Sequence, residues 1–169
     1  RQFTSDPVNP DDLREMVRLA GLSPSVNNSQ PWKFIAVTNR DVLKCMADAV
    51  HTKVAQVLPE GDSEEAKKAK QQVDFFSTFF AGAPAAIAVA MGPYRAVADQ
   101  AIEGSELTHE DVNTMRCHPD IQSIGAAVQT LNLAAVDMGY GSCWLSGPLI
   151  AREEIEGCLG ISGEWRLAA

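Results

Sequence analysis

One stretch, residues 120–138, restricts the fold more than any other part of the sequence. Its apolar residues recur at spacings of three and four, the period of an α-helix, while glycine and alanine fill many positions between them. These apolar residues are Ile121, Ile124, Val128, Leu131, Ala135 and Met138. A helix that is apolar on more than one face is normally buried, either in a core or against a second subunit. We therefore expect this helix to be central to the fold and to end at Gly139.

Shorter patterns on both sides of this helix predict a protein of the α+β class. Asn9 and Pro10 mark the start of a first helix, which Gly21 is expected to end in a left-handed conformation. Further helices are predicted over residues 40–50, 63–80 and 151–159, and strands over residues 32–37 and 85–91. Residues 141–148 are predicted to form a short strand that runs into a turn. Residues 94–119 are polar and only partly helical, which is typical of a lid.

Composition and charge argue against several classes of protein. The 169 residues include 14 Lys and Arg against 22 Asp and Glu, which gives a net charge of −8 and a pI near 4.8. The length and a hydrophobic content of 46% indicate one globular domain rather than a disordered chain. The basic cluster at residues 67–70 follows two glutamates, so we expect no nucleic-acid partner. No apolar run reaches the roughly 18 residues of a membrane span, so we expect no membrane partner.

The cysteines and the chain ends carry expectations about compartment and completeness. Cys45, Cys117, Cys143 and Cys158 form no C-x-x-C pair and no metal-ligand spacing, so we expect reduced thiols in a cytoplasmic protein and no metal site. The chain begins with Arg1 rather than methionine and ends on what resembles the start of an apolar strand. We therefore expect residues 1–169 to be a single domain that is truncated at both ends.

Two segments are candidate binding elements. Residues 23–31 place serine hydroxyls and two asparagine amides between prolines, which suits a polar ligand with ring heteroatoms, although the same residues are also typical of an ordinary turn. In residues 141–148, glycines on both sides of Trp144 allow backbone N–H groups to approach a ligand closely. The alternative for this second segment is a bulged core strand with a buried tryptophan.

Other reactive patterns are weak. Cys117 and His118 are neighbours in sequence, but the partners of a catalytic dyad have to meet in space and no third orienting group is identifiable. The chain contains neither G-x-G-x-x-G nor G-x-x-x-x-G-K-[ST], so a Rossmann dinucleotide site and a P-loop are not supported.

Three segments, taken together and in this order, resemble the FMN-dependent nitroreductase family. Residues 1–3 (Arg-Gln-Phe) are similar to the end of the family's amino-terminal Arg-Arg-Ser-x-Arg-x-Phe signature. Residues 23–32 (SPSVNNSQPW) resemble the family's flavin loop almost in full and are the most specific part of the match. Residues 120–147 resemble the central dimer helix and the Gly-x-Gly-Ser-x-Trp turn that follows it.

The resemblance implies a nitroreductase-like homodimer, intertwined around the long helix, with a central, mostly antiparallel sheet flanked by helices. It also implies two FMN molecules at the dimer interface, each held by both subunits. Arg1 would contact the flavin phosphate or ribityl chain. The residues that would approach the same flavin from the other subunit are Pro24, Ser25, Val26, Asn28 and Ser123. The residues that would line the isoalloxazine, with backbone N–H groups of the last two directed at N5 and O4, are Trp144, Leu145, Ser146 and Gly147.

The activity implied by the resemblance is ping-pong hydride transfer. NADH or NADPH would deliver hydride to the flavin and leave, and an electron-poor acceptor such as a nitroaromatic or a quinone would then enter the same pocket. Positioning and flavin electronics would supply the catalysis, so no catalytic side chain is expected. The alternatives are reductive dehalogenation or flavin fragmentation, which residues 94–119 would decide, and a non-catalytic flavin-binding domain.

The chain departs from the family pattern in two respects. The first Arg and the Ser of the amino-terminal signature would precede residue 1, and the family's carboxy-terminal basic residues would lie beyond Ala169. Most of the expected phosphate clamp is therefore missing from this sequence. In addition, Phe75 and Thr78 stand where some relatives place polar flavin contacts.

Overall fold

The computed structural model describes residues 2–169, and Arg1 lies outside the described residues. Within that range the chain forms seven α-helices, three strands and three short 3-10 turns. The helices are α1 Pro10–Ala20, α2 Arg40–Val57, α3 Glu64–Thr78, α4 Val97–Ala101, α5 His109–Met115, α6 Pro119–Asp137 and α7 Arg152–Leu159. The strands are β1 Trp32–Val37, β2 Ala86–Met91 and β3 Arg166–Leu167. The α+β class is confirmed.

The sheet is antiparallel, as the family resemblance implies, and its strand order is β1-β2-β3. Phe34 of β1 pairs with Val89 of β2, and Ala90 of β2 pairs with Leu167 of β3. β2 is central because its run of alanine, isoleucine and valine buries its middle residues, and a strand of that kind is stable only with neighbours around it. β3 is a strand of two residues, Arg166–Leu167, near the end of the sequence.

In residues 141–148, the predicted short strand is wrong, while the predicted turn is present. Residues 141–146 have no regular secondary structure, and they lead into the 3-10 turn Gly147–Ala151. Two glycines weaken a strand, and Pro148 has no backbone N–H to donate to a neighbouring strand. The segment is therefore an exposed connection between α6 and α7.

The ends of the helices follow capping chemistry, with one exception. The side chain of Asn9 accepts a hydrogen bond from the amide of Asp11 at 2.9 Å, which caps α1 as predicted. Gly21 was expected to be left-handed, but its φ is −65°, because the chain continues in a right-handed turn into Ser23. Gly139, with φ +84°, is the left-handed glycine that follows α6.

The main core lies between α2, α7 and the sheet. α2 continues to Val57, seven residues beyond its predicted end, because Val50 and Val54 extend the apolar stripe that packs into this core. Leu43 and Val50 of α2 and Ile155 of α7 are fully buried there.

The long helix α6 is central, as predicted, but only one of its apolar faces is covered in the protomer. Ile124 and Val128 pack against Val89 of β2, and Ala134 and Ala135 pack in a cluster with residues of α1. On another face, Ile121, Leu133 and Val136 are 54%, 61% and 64% exposed. An apolar helix with an open apolar face is typical of a subunit interface.

One expectation about the cysteines is wrong. Cys45 of α2 and Cys158 of α7 form a disulfide, although they are 113 residues apart in the sequence. The two helices pack side by side and bring these positions together, which spacing alone does not reveal. Cys117 and Cys143 are free and exposed, as expected for reduced thiols. Among the described residues, no helix is both long enough and apolar enough to span a membrane.

Candidate flavin site

The loop formed by residues 23–31 is fastened to α6 at two points. The buried hydroxyl of Ser23 donates to the hydroxyl of Thr130 at 2.7 Å. The hydroxyl of Ser123 accepts a hydrogen bond from the amide of Val26 at 2.9 Å and donates its own hydrogen to the carbonyl of Pro119 at 2.6 Å. Because that hydrogen is committed within the protein, Ser123 can offer a ligand only an acceptor.

The backbone of the 23–31 loop is unusual at three positions. Asn27, Asn28 and Gln30 have φ values of 50°, 52° and 47°. Asparagine tolerates this left-handed region better than most residues because its short polar side chain can bond locally. The hydroxyl of Ser25 accepts a hydrogen bond from the amide of Gln30 at 2.9 Å and so closes the loop on itself. The loop is a fixed polar surface on which Asn28 is exposed.

A first cavity, of about 360 Å³, lies between this loop and the start of α6. Four of the predicted site residues line it together, namely Pro24, Ser25, Val26 and Ser123. Arg116 also lines it, and sequence reasoning missed this residue. The sequence signal that could have indicated Arg116 is its position three residues before Pro119, where α6 begins. Asn28 lies on the same loop but does not line this cavity.

The segment formed by residues 141–147 holds the second group of predicted residues. Trp144 is 49% exposed, so the alternative of a buried core tryptophan is wrong. A Cβ on Gly125 would lie 3.4 Å from the Trp144 ring, which shows that the ring crosses α6 at a position without a side chain. A Cβ on Gly147 would lie 2.4 Å from the Ser77 hydroxyl, so glycine is required for this close approach to α3. Leu145 is half-buried, and Ser146 is exposed.

The backbone amides of the 141–147 segment are not used within the described part of the protein. None of them donates a hydrogen bond to another described residue. Exposed backbone N–H groups without a protein partner bond to water, and a ligand can replace that water, so these seven donors are open to a ligand with several acceptor atoms. Ring nitrogens and carbonyl oxygens of a heterocycle such as a flavin match this donor set. The chemistry of the segment therefore fits that cofactor.

A second cavity, of about 660 Å³, has a mostly apolar lining. Gln2 and Phe3, the residues next to Arg1, line it together with Trp144 and Leu145. Phe3 stacks on Phe79, with ring centroids 6.0 Å apart. The one charged residue among the described lining residues is Asp6. The predicted phosphate contact, Arg1, lies outside the described residues.

The two cavities share no lining residue. The structure thus groups the predicted site residues into two sets on one protomer, the loop set beside Ser123 and the segment set beside Trp144. Phe75 and Thr78, the two positions that depart from the family pattern, offer no free polar donor to a ligand. The Phe75 ring stacks on Phe79 with ring centroids 6.2 Å apart, and the Thr78 hydroxyl donates to the carbonyl of Asp74.

The 94–119 segment is ordered by a buried polar network. Asn113, which is 2% exposed, accepts a hydrogen bond from the Tyr94 hydroxyl at 2.7 Å and donates to the Asp120 carboxylate at 3.1 Å. Burial raises the pKa of Tyr94. His109 lies 2.8 Å from the Asp99 carboxylate, and that hydrogen bond is the main reason why the pKa of Asp99 is lowered. The helices α4 and α5 are therefore held against the start of α6.

The arrangement contains acceptor-binding amides, a fixed polar loop and an apolar cavity, and it brings no side-chain nucleophile and base together at these surfaces. The imidazole Nδ1 of His118 lies 3.4 Å from the Asn113 amide nitrogen, while the neighbouring Cys117 is an exposed free thiol. Such a site can bind and orient a planar heterocycle, and it leaves the redox chemistry to that heterocycle.

These features define a class of protein, in which a small antiparallel sheet and a long apolar helix carry two separate candidate surfaces for a planar ligand. The chain belongs to the Nitroreductase family, whose sequence profile matches residues 1–169. The resemblance drawn from the three sequence segments is confirmed at the level of the family.

Two curated relatives illustrate the range of this family. The chain is 27% identical to a putative NADH dehydrogenase/NAD(P)H nitroreductase of Archaeoglobus fulgidus over 91% of its own length and 64% of the relative. It is 26% identical to the 5,6-dimethylbenzimidazole synthase of Rhodospirillum rubrum over its full length and 73% of the relative. The chain therefore spans slightly less than two thirds of the first of these proteins.

Two solved structures share the fold. A BluB-like flavoprotein from Clostridium difficile 630 superposes with a TM-score of 0.86 at 30% identity, covering 98% of this chain and 80% of that one. A nitroreductase with bound FMN from Desulfitobacterium hafniense DCB-2 superposes with a TM-score of 0.68 at 20% identity, covering 99% and 78%. The second structure binds FMN, and at this identity it supports the fold alone.

Proposed function

We propose that this protein is an FMN-dependent NAD(P)H oxidoreductase that acts as a homodimer. The observation that carries the proposal is the division of the candidate site into two cavities that share no lining residue. Because each surface supplies only part of what a flavin needs, two copies of the chain are required to enclose one cofactor. The names of the relatives support NAD(P)H as the electron donor and FMN as the cofactor.

The residues that hold FMN in this proposal come from both copies. One copy supplies the 141–147 segment and Arg1, and the other supplies the loop. The first set is Arg1, Trp144, Leu145, Ser146 and Gly147, and the second set is Pro24, Ser25, Val26, Asn28 and Ser123. FMN, when bound, supplies the redox chemistry, taking hydride from NADH or NADPH and passing reducing equivalents to an electron-poor acceptor such as a nitroaromatic or a quinone.

The chain's own residues bind the flavin and orient it. The unused amides of residues 141–147 donate hydrogen bonds to acceptor atoms of the ring and favour developing negative charge there. Trp144 and the apolar lining of the larger cavity exclude water from the face of the flavin ring that they contact. Ser123 keeps the opposite surface in place by holding the amide of Val26.

The exposed face of α6 is the proposed dimer contact. Ile121, Leu133 and Val136 lie on one side of this helix and are more than half exposed. Burying apolar surface contributes roughly 25 cal/mol per Å², so a second copy that covers this face is strongly favoured over water. Such a contact also brings a second loop toward the 141–147 segment, as a shared site requires.

The test is to purify the chain, add FMN and supply NADH or NADPH without air. The proposal expects a yellow protein whose oxidised-flavin absorbance disappears with one of the two nucleotides and returns when a quinone is added. A bound flavin that stays oxidised with both nucleotides would contradict the reductase activity. A colourless preparation that takes up no FMN would instead favour a domain without a cofactor.

A second candidate is the consumption of the flavin itself, as in the flavin-fragmenting proteins of this fold. It is favoured by the TM-score of 0.86 to the BluB-like flavoprotein and by the full-length match to the 5,6-dimethylbenzimidazole synthase. The two activities separate cleanly when reduced FMN and air are supplied together. An oxidoreductase returns intact FMN over many turnovers, whereas a fragmenting enzyme lowers the total flavin and forms 5,6-dimethylbenzimidazole, which mass spectrometry detects.

A further inference from the structure

Arg116 stands out among the residues around the candidate site. It is the sole lysine or arginine among the described residues that line the two cavities. Its main chain is held on both sides, because its amide donates to the Val112 carbonyl at 3.1 Å and its carbonyl accepts from the Gln122 side chain at 3.3 Å. The guanidinium is thus carried by a fixed backbone at the edge of the 360 Å³ cavity.

The guanidinium of Arg116 forms no ion pair within the part of the chain that the structure describes. The nearby carboxylates are already engaged with other groups. Asp99 is bonded to His109 at 2.8 Å and to the amide of Ala96 at 2.8 Å, and Asp120 accepts from Asn113 and from the amide of Ile121. The charge of Arg116 still reaches Asp99, where it is a minor cause of the lowered pKa.

A planar guanidinium with free donors prefers an anion that can accept two parallel hydrogen bonds. Around Arg116, the other described lining residues are neutral and include the Ser25 hydroxyl, and none of them is a carboxylate. The volume is at the small end of the range for ligand pockets, enough for a phosphate with part of its sugar or for a small aromatic acid.

We propose that Arg116 binds an anionic group, a phosphate monoester or a carboxylate, in the cavity between the 23–31 loop and α6. The proposal deepens the proposed function and rests on it for the identity of the ligand. Two sources carry this chemistry: the phosphate of the flavin or nicotinamide cofactor, and an acid group on the acceptor.

The experiment compares Arg116→Gln, which removes the charge, with Arg116→Lys, which keeps the charge but loses the planar guanidinium and its two parallel hydrogen-bond donors. The matched control is Arg95→Gln, because Arg95 is an exposed arginine of the same segment that lines neither cavity. The first readout needs no flavin: binding of inorganic pyrophosphate and of 4-nitrobenzoate to the purified chain by titration calorimetry. We expect the wild type and Arg95→Gln to bind at least one probe, and Arg116→Gln to bind it about tenfold more weakly.

The second readout separates the two sources. If Arg116 holds the cofactor phosphate, Arg116→Gln raises the Kd for FMN about tenfold and leaves that for riboflavin unchanged. If it holds an acid group of the acceptor, flavin binding is unchanged, and the KM for 4-nitrobenzoate rises while that for nitrobenzene does not. Unchanged values for both probes, both flavins and both acceptors would overturn the proposal.

The outcome also distinguishes this proposal from the proposed function. A wild-type chain that binds no flavin at all contradicts the oxidoreductase, while the calorimetric comparison of the two probes still decides whether Arg116 is an anion site. If the wild type and Arg116→Gln bind and reduce flavin equally well, and also bind both anions equally well, the result supports the oxidoreductase and contradicts the anion site at Arg116.

Discussion

The hydroxyl of Ser123 lies 2.9 Å from the backbone nitrogen of Val26, and this one hydrogen bond joins residues 97 positions apart in the sequence. It attaches the middle of the 23–31 loop to the first turns of the central helix α6. The loop presents its polar groups from a rigid base for this reason, and the base is the same helix that exposes Ile121, Leu133 and Val136 on its outer face.

Removing the Ser123 hydroxyl should loosen the loop. In Ser123→Ala the amide of Val26 and the carbonyl of Pro119, both half-buried, each lose a partner, so we expect a loss of about 1 kcal/mol in the free energy of unfolding. We also expect faster hydrogen exchange at Val26 and weaker FMN binding. Ser142→Ala is the control, because Ser142 is exposed. Equal urea stabilities for the two variants would rule out the anchoring role.

The disulfide between Cys45 and Cys158 should stabilise the fold. Cross-links that close long loops typically contribute about 2–4 kcal/mol, mainly by restricting the unfolded chain. We expect Cys45→Ser, or treatment with a dithiol, to lower the melting temperature, whereas Cys143→Ser, which changes a free exposed thiol, has no effect. Alkylation of the unfolded chain without reductant should label Cys117 and Cys143 alone. Labelling of all four cysteines in that experiment would show that the bond is absent.

Both tyrosines should ionise at a higher pH in the folded chain than in the unfolded one. Burial is the main cause that raises the pKa of Tyr94, and the hydrogen bond from the Tyr140 hydroxyl to Asp12, at 2.6 Å, is the main cause for Tyr140. A raised folded pKa gives a stability contribution that is complete below the unfolded pKa of about 10 and is lost as the pH rises through the folded value.

Ultraviolet titration of phenolate measures this directly. The folded protein should form phenolate at a higher pH than the same protein in urea, and Tyr140→Phe should leave one group, Tyr94, that is still displaced upward. Superimposable titration curves in the folded and unfolded states would contradict the assigned environments of both rings.

The open face of α6 should be needed for dimerisation. In Leu133→Glu combined with Val136→Glu, two charges replace apolar groups that are exposed in the protomer, so the fold should survive while association is lost. Val97→Glu is a control at an apolar position that is 72% exposed elsewhere on the surface. Sedimentation velocity should report a dimer for the wild type and the control, and a monomer for the double variant. A double variant that still sediments as a dimer would place the interface elsewhere.

Much of the fold was predictable because its signals are local. The apolar period of residues 120–138, the cap at Asn9 and the alanine- and valine-rich strand β2 each depend on neighbours in the sequence. The 141–148 segment was predicted wrongly for the same reason. Its apolar Trp144 and Leu145 favour a strand locally, but the segment pairs with none of the strands that the structure describes, and the tryptophan instead crosses α6 at Gly125.

The candidate site was only partly predictable, because its parts meet through tertiary contacts. The loop and the 141–147 segment could be picked out by composition, but their separation into two cavities depends on the path of the whole chain. Arg116 is one exposed arginine in a polar segment, and only the packing of α5 against α6 brings it to the loop. The disulfide likewise depends on α2 and α7 lying side by side.

The central claim is that one flavin site is shared between two copies of the chain, and subunit complementation tests it most directly. Val26→Asp damages the loop half and Ser146→Asp damages the segment half, so each variant alone should form dimers with two damaged sites and bind no FMN. Unfolding and refolding the two variants together should produce mixed dimers in which one site has two intact halves. Such mixed dimers are expected to recover one FMN per dimer and NAD(P)H-dependent flavin reduction. No recovery in mixed dimers that have demonstrably formed would contradict it, because a site contained within one protomer cannot be rebuilt by mixing.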